Sequence, residues 1–454
     1  MNASPQTGLV RGIGRWDLVA VAINGIIGAG IFGLPSKTFA LTGPYSLLAF
    51  AACAGVAALI ILCFAEVASR FTDTGGPYLY AREALGPVVG FEVGWLMWLA
   101  RLTAFAANLN LMVEYAAFFW PRVNAGGTRA IIITMTVVLM TVINIIGVRD
   151  AALFSDVFSI GKLIPMVFFV VAGLFFLEPQ RFSVAAPPVL GAFSQSVLLL
   201  VYAFTGFEMA LIPAGEVRDP QRNLPFAILF SLGMVAMLYI GIQVVCIGTL
   251  PQLATSTRPV ADAARQFLGP IGGNLIAAGV MVSIVGNLSV LLLAAARLPF
   301  AMATNRELPR LVGAVHARYR TPHVAIVLTG AAMLSLALSG SFIYAATIST
   351  IARLLAYFAT CIGMMRLRRQ RGPAPFQAPA GPAVATATLV LIVWLLAHST
   401  GKEARDAAFA ALAGLLIYGV YKLTLGALAT RVRLSRAPEP HASRVGSQGS
   451  KDEP

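Results

Sequence analysis

The sequence predicts an all-α polytopic membrane protein of twelve transmembrane helices, and three observations predict it. Of the 454 residues, 58% are hydrophobic and only 11% charged, with a mean hydropathy of +0.80, a composition foreign to soluble domains. The apolar residues gather into segments long enough to cross roughly 30 Å of hydrocarbon. These fall at about 16–40, 44–69, 87–120, 129–148, 151–177, 192–215, 225–250, 271–304, 323–340, 342–365, 380–398 and 406–425. Finally, glycines interrupt two of the segments near mid-span. The expected plan is an N-terminus at 1–15, helices one to five at 16–177, helices six to ten at 192–366, helices eleven and twelve at 380–425, and a disordered tail at 431–454.

The first segment carries Asn24-Gly25-Ile26-Ile27-Gly28-Ala29-Gly30-Ile31-Phe32-Gly33-Leu34-Pro35. Four glycines there should break the helix, and in lipid a break is tolerated only where the freed N–H and C=O groups face a buried cavity, a ligand or an ion. The same letters spell G-x-G-x-x-G. That fingerprint needs a preceding strand and an acid about 20 residues on, whereas the next acid is Glu66, inside another apolar segment. The third and eighth segments are longer than a span needs and should tilt or run past the bilayer. If helices one to five and six to ten are inverted copies, the sixth corresponds to the first. The sixth has its own interruption, Tyr202-Ala203-Phe204-Thr205-Gly206-Phe207-Glu208, with Pro213 beyond. Paired interrupted helices are the sequence pointer to a transporter binding site.

Turn chemistry marks the connections Thr74-Gly75-Gly76-Pro77-Tyr78, Asp219-Pro220-Gln221-Arg222-Asn223-Leu224-Pro225 and Arg320-Thr321-Pro322. Thr257 to Leu268 alternates Ala261, Ala264, Phe267 and Leu268 with Arg258, Asp262 and Arg265, a short amphipathic helix. The first apolar run lacks a cleavage pattern and should remain as the first span. Cys53, Cys63, Cys246 and Cys361 lie in apolar segments without CxxC spacing, so they read as buried free thiols. His316, His323, His398 and His441 fall in loops, span ends or the tail, so neither a metal nor another cofactor is expected. The charge of +14 sorts by topology. With both termini in the cytoplasm the basic residues concentrate inside, which explains them without nucleic acid.

Several of these stretches resemble the amino acid-polyamine-organocation permeases. The matches are Gly25-Ile26-Ile27-Gly28-Ala29-Gly30-Ile31-Phe32, Gly75-Gly76-Pro77-Tyr78-Leu79-Tyr80-Ala81-Arg82-Glu83-Ala84, Ala203-Phe204-Thr205-Gly206-Phe207-Glu208 with Gly215-Glu216-Val217-Arg218-Asp219-Pro220, and Ala296-Arg297-Leu298-Pro299-Phe300-Ala301-Met302-Ala303 with Leu308-Pro309. They keep their order from about Ile13 to Pro322 and fade over the last two helices. The resemblance implies a leucine-transporter fold: a five-plus-five inverted repeat with helices one and six broken, plus two C-terminal helices. One departure is Asn305-Arg306-Glu307, where the family usually has a glycine, so that turn is expected to differ.

Carried over from the family, the N–H groups of Gly28, Ala29 and Gly30 would hold a substrate carboxylate at a helix N-terminus. The carbonyls of Ile26, Tyr202 and Thr205, with Ala203 beside them, would accept from the ammonium. Tyr202 matches the gating aromatic of the family. Lys162 lies about 12 residues into the fifth helix, deep in hydrocarbon, where an ammonium must snorkel or meet polar groups inside the bundle. The comparison puts it where sodium-coupled relatives of the fold hold a sodium ion, so it is the candidate for proton coupling; a fixed charge in a sodium-independent exchanger is the other reading. Glu208 is a candidate for gating or pH sensing. Arg101 and Arg353 are possible partners for Glu92, Glu114 or Glu208, and Ser283, Gly286 and Asn287 are candidates to line the cavity.

These features point to secondary active transport of amino acids, with proton symport of neutral substrates preferred to exchange and to cationic or polyamine substrates. An intramembrane enzyme would need a nucleophile with its base or a metal cluster at depth. A channel would need filter loops or charged rings, and a sensor a soluble domain.

Overall fold

The computed structural model describes residues 12–72, 75–124, 126–146, 151–183, 186–212 and 214–435, the side chains of 126, 151–161 and 425–435 excepted. Pro213, Thr74, His441 and the tail from 436 onward therefore lie outside it. Apart from one isolated bridge, the regular elements are helical. In order they are α1 (Arg15–Ile26), α2 (Gly30–Thr42), α3 (Ser46–Ala68), α4 (Gly76–Leu85), α5 (Pro87–Ala116), α6 (Gly126–Ile146), α7 (Ala151–Gly173), α8 (Leu190–Phe204), α9 (Pro220–Thr249), α10 (Pro259–Thr304), α11 (His323–Ser339), α12 (Phe342–Arg371), α13 (Gly381–Ala397) and α14 (Gly401–Ser435), joined by short 3-10 turns. The last helix thus runs through residues 431–435, which the sequence assigns to the tail. Among the described residues eight stretches are long and apolar enough to cross a membrane; the protein is a polytopic membrane protein.

Burial separates centre from rim. In α5, 94% of the most apolar window is buried, against 22% in Gly127–Ile146 and 11% in Gly401–Thr424. Both α10 and α12 pack along α5, while α9 packs against α1 and α3. The rim exposes Ile131, Met135, Val138, Leu139 and Val142 on α6 and Val167, Phe168 and Val171 on α7. In water such faces would drive aggregation; against lipid they are the expected surface. All four cysteines are buried and free.

Both expected interruptions are present. The first helix stops at Ile26 and resumes at Gly30. The sixth expected helix, α8, stops at Phe204, Thr205 is extended, and Gly206 at φ +108° leads into a 3-10 turn, Phe207–Leu211. The two breaks touch backbone to backbone: a Cβ on Gly206 would stand 2.1 Å from the Gly25 carbonyl oxygen, and one on Gly25 would stand 2.5 Å from that of Gly206. Only glycine permits both approaches. The same ends are tied again nearby, where Ile13 N–H donates to the Glu216 carbonyl (3.1 Å) and Arg218 N–H to the Ile13 carbonyl (2.9 Å).

Within α10, Gly269 (φ +70°, ψ −169°) separates 259–268 from 270–304. The short amphipathic helix and the long eighth segment expected from sequence are thus distinct bodies. The end of α10 shows what a glycine would serve in this turn. Arg306 occupies the left-handed region at φ +57°, with Glu307 N–H bonded to the Met302 carbonyl (2.8 Å) and Arg306 N–H to that of Ala303 (3.0 Å). This is a Schellman cap, which favours glycine at that residue. The turn therefore keeps the geometry that suits glycine and bears the strain of an arginine.

Candidate functional site

The two breaks enclose a cavity of about 110 Å³. Its wall comes from α1 and the break after it (Asn24, Gly25, Ile26, Gly28, Gly30), from α5 (Ala104, Asn108), from the second break (Tyr202, Thr205, Gly206, Met209), from α10 (Asn287, Val290, Leu291) and from Arg353 on α12. Of the residues singled out from sequence, Ile26, Gly28, Gly30, Tyr202, Thr205 and Asn287 line it. Ala29 and Ala203 stand behind the wall. A Cβ on Gly30 would come within 2.7 Å of the Ala203 Cα, so Ala203 marks where α2 and α8 touch. Ser283 and Gly286 are buried in α10 away from the lining; among the described residues the Ser283 hydroxyl has no partner.

The free backbone groups are fewer than three donors and three acceptors. Gly28 N–H donates to the Ile26 carbonyl (2.9 Å), and Ala29 N–H to Asn108 Oδ1 (3.2 Å). Among the described residues the Gly30 N–H meets no acceptor, at the positive end of α2. The Ile26 carbonyl also accepts from the Tyr239 hydroxyl (3.2 Å), and the Tyr202 carbonyl from Thr205 Oγ1 (2.8 Å). The reason is chemical: buried peptide groups find partners when no ligand supplies them.

Asn108 is the residue that sequence reading missed. Its Oδ1 takes the Ala29 N–H, and its Nδ2 donates to the Tyr202 hydroxyl (3.0 Å) and the Ala104 carbonyl (2.7 Å). One amide thus spans the first break and the aromatic of the second. Its only advance signal is a polar residue in the apolar stretch Phe105-Ala106-Ala107-Asn108-Leu109. Tyr202 also packs edge-on against Phe342, ring centres 6.3 Å apart.

The charged pairs resolve as follows. Glu208 joins Arg353 (Nε to Oε1, 3.1 Å) and accepts from the Tyr357 hydroxyl (3.1 Å) and the Gly206 N–H (2.9 Å). Arg353 also bonds Ser349. The glutamate therefore anchors the second break to α12, all of it buried. Glu114 pairs with Arg129 instead (3.2 Å), and Glu92 is half-buried, its two carboxylate oxygens covered and without a hydrogen-bond partner among the described residues. Arg101 pairs with none of the three.

Lys162 lies outside the cavity. It is buried, and its Nζ donates to the Asn24 and Ile27 carbonyls, 2.9 Å each. These oxygens belong to the end of α1, where the helix dipole is negative. The ammonium thus fills a backbone cradle and does not snorkel. No group of three or more His, Cys, Asp or Glu suited to a metal occurs among the described residues.

At the end of the bundle where α4 lies, a second network closes the floor. The Tyr78 hydroxyl donates to Glu307 Oε2 (2.7 Å) and accepts from Arg82 Nη1 and Asn305 Nδ2 (3.1 Å each), and Arg82 approaches Glu307 at 3.4 Å. Above it lies a cavity of about 540 Å³ lined by Tyr78, Arg82, Glu83, Arg101, Ala294, Arg297 and neighbours.

Comparison with known proteins agrees with this architecture. The family model described as amino acid permease matches residues 13–419. The chain is 26% identical over 439 residues to a methylthioribose transporter of Bacillus subtilis, covering 92% of this chain and 95% of that protein. From the same organism, a serine/threonine exchanger is 31% identical over 337 residues, 71% and 75% of the two chains. A branched-chain amino acid permease is 24% identical over 441 residues, 92% and 94%. The motifs, the paired helix breaks and this match along most of its length all lead to one assignment: the chain belongs to the amino acid permease family, whose members are transporters and not enzymes.

Proposed function

We propose that the protein is a secondary active transporter that carries neutral amino acids across the cytoplasmic membrane by alternating access, coupled to protons. In this reading the chain crosses the bilayer twelve times with both termini inside, and helices one to five and six to ten form an inverted repeat. The cavity walled by both helix breaks carries the proposal. It offers the Gly30 N–H to a carboxylate and, once substrate displaces Asn108 Oδ1, the Ala29 N–H beside it. Tyr202 closes the cavity on one side, under Phe342. Lys162 holds the end of α1 while protonated. Losing the proton would turn two charge-assisted bonds to α1 into weaker neutral ones and loosen the first break, which couples proton movement to the site.

The test is uptake of a labelled amino-acid panel by proteoliposomes, with and without an imposed pH gradient and with or without amino acid on the far side. The expected result is gradient-driven net accumulation, with the gradient response lost in Lys162→Ala. A Lys162→Ala protein that keeps the full response overturns the proton role. Likeness to a serine/threonine exchanger favours a second reading, obligatory exchange, in which uptake requires amino acid inside whatever the gradient.

A further inference from the structure

Among the described residues Arg101 is a cation without a counter-ion, set between the two cavities. It is 2% exposed, its Nε has no hydrogen-bond partner, and no carboxylate lies within salt-bridge distance among the described residues. Its remaining contacts are weak ones, Nη1 to the Ala294 carbonyl at 3.5 Å and Nη2 to Met209 Sδ at 3.9 Å. Met209 lines the central cavity and Ala294 the larger one, with Arg101 itself in the larger wall. A guanidinium stays charged. The charged groups that act on it are Glu208 and Arg353, and Glu208 is already engaged by Arg353, Tyr357 and the Gly206 N–H. The cluster of two guanidiniums and one carboxylate thus keeps a positive charge in excess. Such a charge in a low-dielectric interior is costly to leave uncompensated. The wall of the larger cavity adds Arg297, which has no salt-bridge partner among the described residues, whereas Arg82 is offset by Glu307 and Glu83 by Arg371.

We infer that Arg101 is the charge filter of the transport path: it turns back cationic amino acids and polyamines and meets the carboxylate of a zwitterionic or acidic amino acid as it passes between the two cavities. This deepens the proposed transport function and rests on it. The filter acts by like-charge repulsion at short range, where water does not screen it.

The experiment compares kcat/KM for leucine, serine, glutamate, lysine and putrescine in proteoliposomes holding wild type, Arg101→Lys or Arg101→Gln. Wild type should accumulate leucine or serine, and a large excess of lysine or putrescine should not compete. The lysine-to-leucine ratio should stay near wild type in Arg101→Lys and rise about tenfold or more in Arg101→Gln, the scale of one unit charge at roughly 10 Å in protein. An unchanged ratio in Arg101→Gln, or wild type carrying lysine as well as leucine, overturns the filter and leaves transport standing. Wild type that moves no amino acid overturns the transport reading itself, and the filter with it. If Arg101→Gln does not fold, competition by lysine and putrescine against wild type still decides: strong competition overturns the filter and none supports it.

Discussion

Two glycines and one arginine show how single positions set this molecule. At Gly206 the left-handed φ and the Gly25 carbonyl 2.1 Å from a would-be Cβ act together. Gly206→Ala is therefore expected to lose about 1–3 kcal/mol or more through overpacking and backbone strain, and transport should fall to background. Thermal unfolding in detergent and uptake measure the two effects separately. Arg306 is the opposite case, a side chain where the cap favours none. Arg306→Gly should stabilise by up to about 1 kcal/mol, read as a higher unfolding temperature with uptake retained. Sequence comparison marked that turn as a departure, and the positive φ shows that the departure is in the residue and not in a backbone that still suits glycine.

Between elements, polar contacts inside apolar surroundings do the joining. Glu208 on the second break and Arg353 on α12 are one such joint. Removing a single partner, as in Glu208→Gln, should cost about 3–5 kcal/mol because a buried charge is stranded. The double variant Glu208→Gln with Arg353→Met should recover part of that loss in a double-mutant cycle. The joint from α4 to the turn after α10 depends on the Tyr78 hydroxyl. Burial first, then the Glu307 carboxylate that it faces, push this phenol from 10.0 up to about 12. Folding thus favours the neutral phenol, so its contribution is whole below pH 10 and is lost as the pH climbs through 12. Unfolding temperature measured across that window should fall less in Tyr78→Phe than in wild type. The first joint was legible only as one of several pairings open to Arg353 and Glu208, and the second not at all. Periodicity and glycine placement reveal where a helix runs and stops, which is why the breaks at Ile26 and Phe204 matched expectation. Which arginine meets which glutamate depends on the rotation of packed helices, and a sequence does not carry that angle.

For the molecule as a whole, composition and segment length were sufficient for the membrane class, because lipid restricts a spanning chain so severely. The cavity was legible in its glycines and Tyr202. It was not legible in Asn108, whose role arises only when α5 passes between the two breaks. The same solvent argument yields a prediction at the rim. Leu139 on α6 is 55% exposed, a position where water would accept arginine freely. Against lipid, Leu139→Arg should cost about 2.5–3.5 kcal/mol in insertion, seen as a reduced share of protein in the membrane fraction.

The short pairing of Ile13 with Glu216 and Arg218 makes a ring of the chain between them, with eight helices inside the loop. Its closing partner is about two hundred residues downstream, so at ribosomal speed the beginning of the polypeptide waits about 10–40 s before that partner has been made. During that interval the entrance of α1 lacks the two backbone bonds that later fasten Ile13.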